Sequence, residues 1–131
     1  MKNFILYFWQ LPQHILGLLL IALYRPERKH IMENGNEIYY ASRMKGGISL
    51  GKYSIVNVCH YRKDMSESLK RDTVRHEAIG HAKQSRILGW LYLIVIGLQS
   101  TLHAVLCKCR NHNYHDMWFE KWADRIAEVE R

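Results

Sequence analysis

Apolar side chains are concentrated in two stretches of the chain, of which the first covers residues 4–24. This stretch is long enough to cross a bilayer as a helix, but Gln10, Pro12, Gln13 and His14 lie near its middle. Polar groups are costly in hydrocarbon, and a proline bends a helix. The pattern therefore leaves three interpretations open: a poor spanning helix, a helix lying in the membrane interface, or a helix of the protein core.

The second apolar stretch covers residues 87–106 and is interrupted by Gly97, Gln99, Ser100 and His103. A simple spanning helix does not suit these interruptions, whereas a buried hairpin-like segment and a segment that dips into a membrane both fit them. Together the two stretches predict contact with a membrane surface. If the first stretch spans, the basic residues that follow it would keep the rest of the chain in the cytoplasm.

Between these stretches the pattern changes to that of short strands. Residues 37–43 and residues 48–58 are rich in β-branched and aromatic side chains, and Gly46-Gly47 separates them. Strand-prone runs on either side of a pair of glycines are typical of a β-hairpin. The sequence therefore predicts one hairpin that reverses at the two glycines.

Two helices are predicted in the remaining sequence. The first covers residues 73–88, where Ser66 or Asp72 can cap its start and Gly89 can end it. The second covers residues 116–130. Its apolar side chains recur at helical spacing and predict its buried face: Trp118, Trp122, Ile126 and Val129.

The fold class that follows is α+β, in which a β-hairpin lies beside one helix and the last helix crosses it. The chain has 131 residues, and we predict one domain over residues 25–131, preceded by an apolar helix in residues 1–24. The net charge is +7, but no five like charges are adjacent, so no nucleic-acid partner is predicted. Solvated surface charge and attraction to anionic lipid both account for the excess. Three cysteines do not make a disulfide framework.

The stretch most indicative of a chemical function is His76-Glu77-Ala78-Ile79-Gly80-His81. It is close to the zinc-binding motif H-E-x-x-H, but its histidines are five residues apart. On a regular α-helix, four steps leave two side chains about 40° apart, whereas five steps leave them about 140° apart, too far to share one ion. One extra residue in a π-type turn would restore a common face. We expect that widening near Gly80, where no side chain crowds the turn.

A catalytic zinc site usually has three protein ligands and one open position. Glu120 and Asp124 lie four residues apart in the last predicted helix and therefore share a face. We predict that His76, His81 and Glu120 bind one zinc ion, and that Asp124 accepts a hydrogen bond from a ligand histidine. Glu77, beside a ligand, would act as the general base.

Two further sets of residues are candidates for chemistry. Tyr114 and His115, just before the last helix, could donate hydrogen bonds to an oxyanion, although packing also accounts for Tyr114. A rival metal site is Cys107-x-Cys109-x-x-His112, with His115 nearby, whose spacing matches only half of a zinc finger. Zinc at that site would be structural, and the protein would then be a binding module.

The run from His76 to His81 has the form H-E-x-x-G-H, and in that form it resembles the motif of the dipeptidyl-peptidase III family. With the downstream E-x-x-x-D of Glu120 and Asp124, it is also similar to gluzincins such as the thermolysin-like peptidases. The resemblance covers these two short motifs. It implies a minimal zincin-like core, zinc-dependent hydrolysis, and a peptide or protein substrate.

The predicted function is therefore that of a zinc metallopeptidase at a membrane surface. A non-catalytic, zinc-stabilised interaction protein at the membrane is the alternative, and a basic membrane-surface adaptor without metal is a third. Glu77 separates the first two, because a structural site has no use for a carboxylate beside a ligand. Metal analysis separates both from the third.

Overall fold

A computed structural model of the chain describes residues 2–44, 46–57, 66–110 and 117–129. Within these ranges, helices enclose one small sheet, which agrees with the predicted α+β class. The elements in chain order are α1 (Lys2–Trp9), α2 (Leu11–Tyr24), β1 (Arg28–Ile31), β2 (Glu37–Tyr40), β3 (Gly47–Leu50), β4 (Tyr53–Val56), α3 (Glu67–Arg75), a π-helical turn (His76–His81), α4 (Ala82–Leu88), a 3-10 turn (Gly89–Leu91), a second π-helical turn (Leu93–Leu98), α5 (Gln99–Arg110) and α6 (Trp118–Ala127).

The four strands lie in the order β1-β2-β4-β3 and form a mixed sheet. The pairs β1–β2 and β3–β4 are antiparallel, whereas β2 and β4 are parallel. The single hairpin predicted for residues 37–58 is therefore wrong. The chain reverses within the second run, at Gly51-Lys52, where Gly51 adopts a φ of +66° that favours glycine. This turn splits residues 48–58 into β3 and β4, and β4 then pairs with β2.

The sheet packs on both of its faces. Ile55 of β4 lies in a cluster with Ala41 and Met44, against which α2 packs. The next residue, Val56, lies with Ile38 and Ala78 and so joins the sheet to the first π-helical turn. Successive strand residues point to opposite faces of the sheet. Because both faces are covered, β4 is buried along its whole length. The sheet is thus the layer between the N-terminal helices and the helix that carries the motif.

The helix that carries the motif starts earlier than predicted. Ser66 caps it, because its hydroxyl oxygen accepts a hydrogen bond from the Leu69 amide at 3.3 Å. The helix continues through the first π-helical turn and ends at Gly89, whose φ is +52°. The predicted stop at Gly89 is confirmed.

The second apolar stretch is helical as far as Arg110. The helical segment Glu67–Leu91, which consists of the motif helix and the 3-10 turn after it, meets the segment Leu93–His103 at 110° near Tyr92. No single helix in the described ranges is long and apolar enough to cross a membrane, whereas the two segments of this bent pair together have sufficient length and hydropathy.

The last helix buries the predicted face only in part: Val129 is buried and Trp122 packs against a core cluster, but Trp118 is not buried. Phe119, Glu120, Ala123 and Ala127 are its buried residues. The predicted Trp118 is 51% exposed and stacks on Trp122, with ring centroids 6.3 Å apart. Ala123 lies where α6 approaches Gly80 of the motif helix closely, and a tryptophan would not fit in so narrow a space. Phe119 is buried elsewhere, against Tyr92 and Ile96.

Candidate metal centre

The segment from His76 to His81 is a π-helical turn inside an otherwise α-helical stretch. At its end the Ala82 amide donates to the Glu77 carbonyl, five residues back, which is the hydrogen bond of a π-helix. The widening predicted from the five-residue spacing is confirmed. The two imidazole rings now lie on one face, with centroids 4.6 Å apart and planes at 88°.

Donors from the sheet side support this widened turn. The buried Asn36 amide donates to the Ala78 carbonyl at 2.8 Å, and the Ser49 hydroxyl donates to the Glu77 carbonyl at 2.6 Å. Arg86 donates to the side-chain oxygen of Asn36 at 2.9 Å and fixes the orientation of that amide. Carbonyls in the turn that would otherwise be under-bonded therefore have partners.

His76, Glu77 and His81 are buried and could hold a metal ion, since one ligand atom of each lies within 4.8 Å of the others. Glu120 reaches the same place from α6. Its carboxylate oxygens lie 3.0 Å from Nε2 of His76 and 3.4 Å from Nε2 of His81. Two imidazoles and a carboxylate that converge on one place form a set of ligands typical of divalent transition metals.

The Nδ1 atoms of both histidines have partners of their own. Nδ1 of His76 lies 2.6 Å from an Asp124 oxygen, and Nδ1 of His81 lies 2.8 Å from Oε1 of Gln84. The Gln84 amide nitrogen donates to the Phe119 carbonyl at 2.7 Å, so its oxygen is the atom that faces His81. Each ring therefore donates through Nδ1 and keeps Nε2 as the atom that can bind a metal.

The charge of the site is compatible with a bound cation. Glu77 and Glu120 are both buried, and a buried carboxylate is costly unless a positive group lies beside it. Burial by itself lowers the pKa of His81, but the hydrogen bond to Glu120 and the negative charge of Glu77 outweigh it and raise the pKa to about 9. The carboxylates thus hold a proton on His81, and a metal ion would supply the same positive charge.

Glu77 lies against the edge strand. The Ser49 hydroxyl is 3.1 Å from Oε2 of Glu77, and a Cβ atom added at Gly47 would lie 2.7 Å from its Oε1. Gly47, taken from the sequence as part of a chain reversal, is therefore the residue that makes room for this carboxylate. Gly47 and Ser49 were missed as site residues because the predicted hairpin placed β3 differently.

Gly80 brings α6 to the motif helix. A Cβ atom at Gly80 would lie 2.5 Å from the Ala123 carbonyl oxygen and 3.0 Å from Ala123 Cβ. Glycine is thus needed here for close helix contact as well as for the widened turn. Arg75 adds to this contact, because its guanidinium donates to the Ala127 carbonyl at 3.1 and 2.9 Å. The close contact carries Glu120 and Asp124 to the histidines.

The structure brings together His76, Glu77, His81, Glu120 and Asp124, and it adds Gln84, which sequence reasoning missed. Gln84 lies three residues after His81 and so shares its helix face, a signal that could have found it. The candidate donors Tyr114 and His115 lie outside the described residues, as does His112 of the rival site. Cys107 and Cys109 belong to α5, and their side chains lie outside the described part of the chain.

No protein-family model, curated protein or solved structure matches the chain. The functional argument therefore rests on the residues of this centre.

Proposed function

We propose that the protein is a zinc-dependent hydrolase, with His76, His81 and Glu120 as metal ligands and Glu77 as general base. One observation carries the proposal: the π-helical turn puts both Nε2 atoms at the Glu120 carboxylate, with Glu77 beside them. A five-residue spacing without that turn would separate the two rings. This convergence of two imidazoles and a carboxylate is what supports the proposal of a zincin-like site.

The donor set fits zinc better than it fits magnesium or calcium. Those two ions prefer oxygen ligands, whereas two imidazoles suit zinc. When bound at three protein ligands, zinc polarises a carbonyl and lowers the pKa of water to about 7. Asp124 and Gln84 hold the Nδ1 atoms of the two imidazoles, so Nε2 of each ring would be the atom that binds the ion.

Glu77 is suited to move a proton. Its carboxylate lies within 4.8 Å of both ligand histidine atoms, and Ser49 and Gly47 hold it on the side of β3. From there it accepts the proton of the attacking water and passes it to the leaving amine. Glu120, which contacts both rings, is the carboxylate better placed to bind the ion.

A peptide is the substrate class that the surroundings support. β3 pairs with β4 on one side and has no strand on its other side among the described residues. Gly47, at the start of β3, lies beside Glu77 and is exposed. An extended peptide that adds to this free edge would bring a backbone carbonyl close to Glu77.

The test is to measure zinc content and peptide hydrolysis in four purified proteins. Glu77→Gln should keep about one zinc per chain and lose hydrolysis, because the carboxylate moves the proton without binding the ion. Glu120→Gln should lose both. Glu67→Gln, in a side chain that is 89% exposed, is the matched carboxyl-to-amide control and should match the unaltered protein. Full zinc retention in Glu120→Gln would refute the ligand set.

The alternative function is a non-catalytic, zinc-stabilised protein. One observation favours it: Glu77 lies close enough to the histidines to be a ligand itself. In that case no carboxylate is left over as a base. Loss of zinc from Glu77→Gln, together with no hydrolysis in the unaltered protein, would decide for this alternative.

A further inference from the structure

The N-terminal helices and the second apolar stretch expose large apolar side chains. We name the outward faces of α1, α2 and residues 89–106 the apolar platform. Its most exposed members include Phe4, Leu19 and Leu23 in the first part and Ile94, Leu98 and Leu102 in the second, each more than half exposed. Proteins that stay in water rarely expose so many apolar side chains in one region, and such a region marks an interaction surface.

α1 and α2 differ from an ordinary amphipathic helix of a soluble protein. The polar residues Gln10, Gln13 and His14 are buried, while most leucines and both phenylalanines are exposed. The end of α2 packs apolar side chains, Leu20 and Ile21, on the sheet. Gln10 donates to the Ser85 hydroxyl at 2.8 Å, and Gln13 donates to the Gly89 carbonyl. A helix that uses its polar groups for internal contacts and leaves its apolar groups outside suits an apolar exterior.

Direct contacts join the two parts of the platform. The Trp90 indole donates to the Phe8 carbonyl at 3.1 Å, and the rings of these two residues lie 6.1 Å apart. Gly89 leaves space for the Trp9 ring, which any side chain at that position would meet. The two parts of the platform, about 80 residues apart in sequence, are therefore packed against each other. Both tryptophans are near half exposed, as is typical of residues at a membrane interface.

The charges of these regions favour anionic lipid over a second copy of the chain. Residues 2–26 and 78–115 contain no aspartate or glutamate; their charged residues are Lys2, Arg25, Lys83, Arg86, Lys108 and Arg110. Arg25 and Lys83 are exposed. The positive charges would make two copies of this surface repel each other, whereas anionic headgroups would attract the surface.

We propose that the apolar platform docks the protein onto an anionic lipid bilayer, with the apolar side chains of the platform inserted at the interface and the basic residues that flank the platform in sequence against the headgroups. Docking does not depend on the metal. Because Gln10 bonds Ser85 of α4, the platform is fixed to the same helix that carries His76 and His81. Docking therefore holds the metal centre at the membrane surface.

The test is co-sedimentation of the full chain with vesicles of equal parts phosphatidylcholine and phosphatidylglycerol, and with vesicles of phosphatidylcholine alone. Binding should be stronger to the anionic vesicles and weaken with salt. Leu19→Glu should reduce binding about tenfold or more, since it puts a charge where hydrocarbon is expected. Ile31→Glu is the matched control, because Ile31 is 60% exposed, close to the 62% of Leu19, but lies in β1 outside the platform.

A second measurement keeps the result independent of folding defects in the variants. The fluorescence of the unaltered protein should shift to shorter wavelength on adding anionic vesicles, and the shift should shrink in Trp90→Phe but not in Trp118→Phe. Equal vesicle binding by Leu19→Glu and Ile31→Glu would overturn the proposal. So would a stable dimer without lipid that Leu19→Glu dissociates, because the platform would then be an interface between two copies.

Discussion

The metal centre and the apolar platform depart from the usual distribution of side chains in opposite directions. The metal centre buries two glutamates and two histidines, and it surrounds them with Asp124, Gln84 and Ser49. The platform instead leaves apolar side chains outside and turns its glutamines inward. We expect both departures to cost stability in water and to become favourable with the partner proposed for each region, a cation for the first and a lipid surface for the second.

Removing the metal should produce the largest effect and should act on only one of the two regions. Chelation is expected to lower the free energy of unfolding by about 4 kcal/mol when free zinc had been about a thousand times its dissociation constant. Thermal unfolding with and without chelator measures this change. Glu120→Gln should show no further loss on chelation. An unchanged melting temperature in the unaltered protein would mean that the buried carboxylates do not need a cation.

Substituting Gly80 should separate α6 from the motif helix. The added methyl of Gly80→Ala would lie 2.5 Å from the Ala123 carbonyl, so we expect a loss of about 1–3 kcal/mol of stability together with weaker metal binding. Gly97→Ala is the control in the second π-helical turn, where the nearest atoms are 3.8 and 3.9 Å away. Urea unfolding and zinc titration of both variants measure the difference. Similar behaviour of the two variants would show that close helix contact does not position Glu120.

Gln84 should act as a positioning residue for His81. Gln84→Leu removes both the acceptor for His81 and the donor to Phe119, and we expect a 10- to 100-fold loss of zinc affinity. Lys83→Leu, at an exposed neighbouring position, is the control. Competition titration with a zinc-binding dye gives both affinities. Equal affinities would leave Gln84 with a packing role only.

The smallest expected effect lies on the platform side, at His14. Burial lowers the pKa of His14 below 6.5, the nearby backbone of Tyr7 opposes this in part, and the positive charge of Lys52 lowers it further. The unfolded chain therefore binds the proton more readily, so His14 makes the protein less stable as the pH falls below 6.5. His14→Phe keeps the ring that stacks on Tyr7 and packs on Tyr53, and it removes this dependence. In urea unfolding, the free energy of unfolding of the variant should rise relative to that of the unaltered protein as the pH falls below 6.5. Parallel dependence of the two free energies on pH would contradict this prediction.

Local features of the site could be predicted from the sequence because they depend on spacing. Five residues between His76 and His81 admit a shared face only in a widened helix, and the structure has that turn. The four-residue spacing of Glu120 and Asp124 likewise places both carboxylates on one face, and both contact His76. Such relations follow from helix geometry within a few residues.

Only the tertiary structure decided which segments meet. Three features depend on contacts between distant parts of the chain. They are the parallel pairing of β2 with β4, the place of Gly47 beside Glu77, and the burial of Ala123 in preference to Trp118. Hydrophobic periodicity shows that a face is apolar but not what covers it, so it wrongly assigned Trp118 to the core. The same limit applies to residues 4–24. Their sequence left three interpretations open, and it was packing against Ser85 and Gly89 that turned the glutamines inward and left most of the leucines exposed.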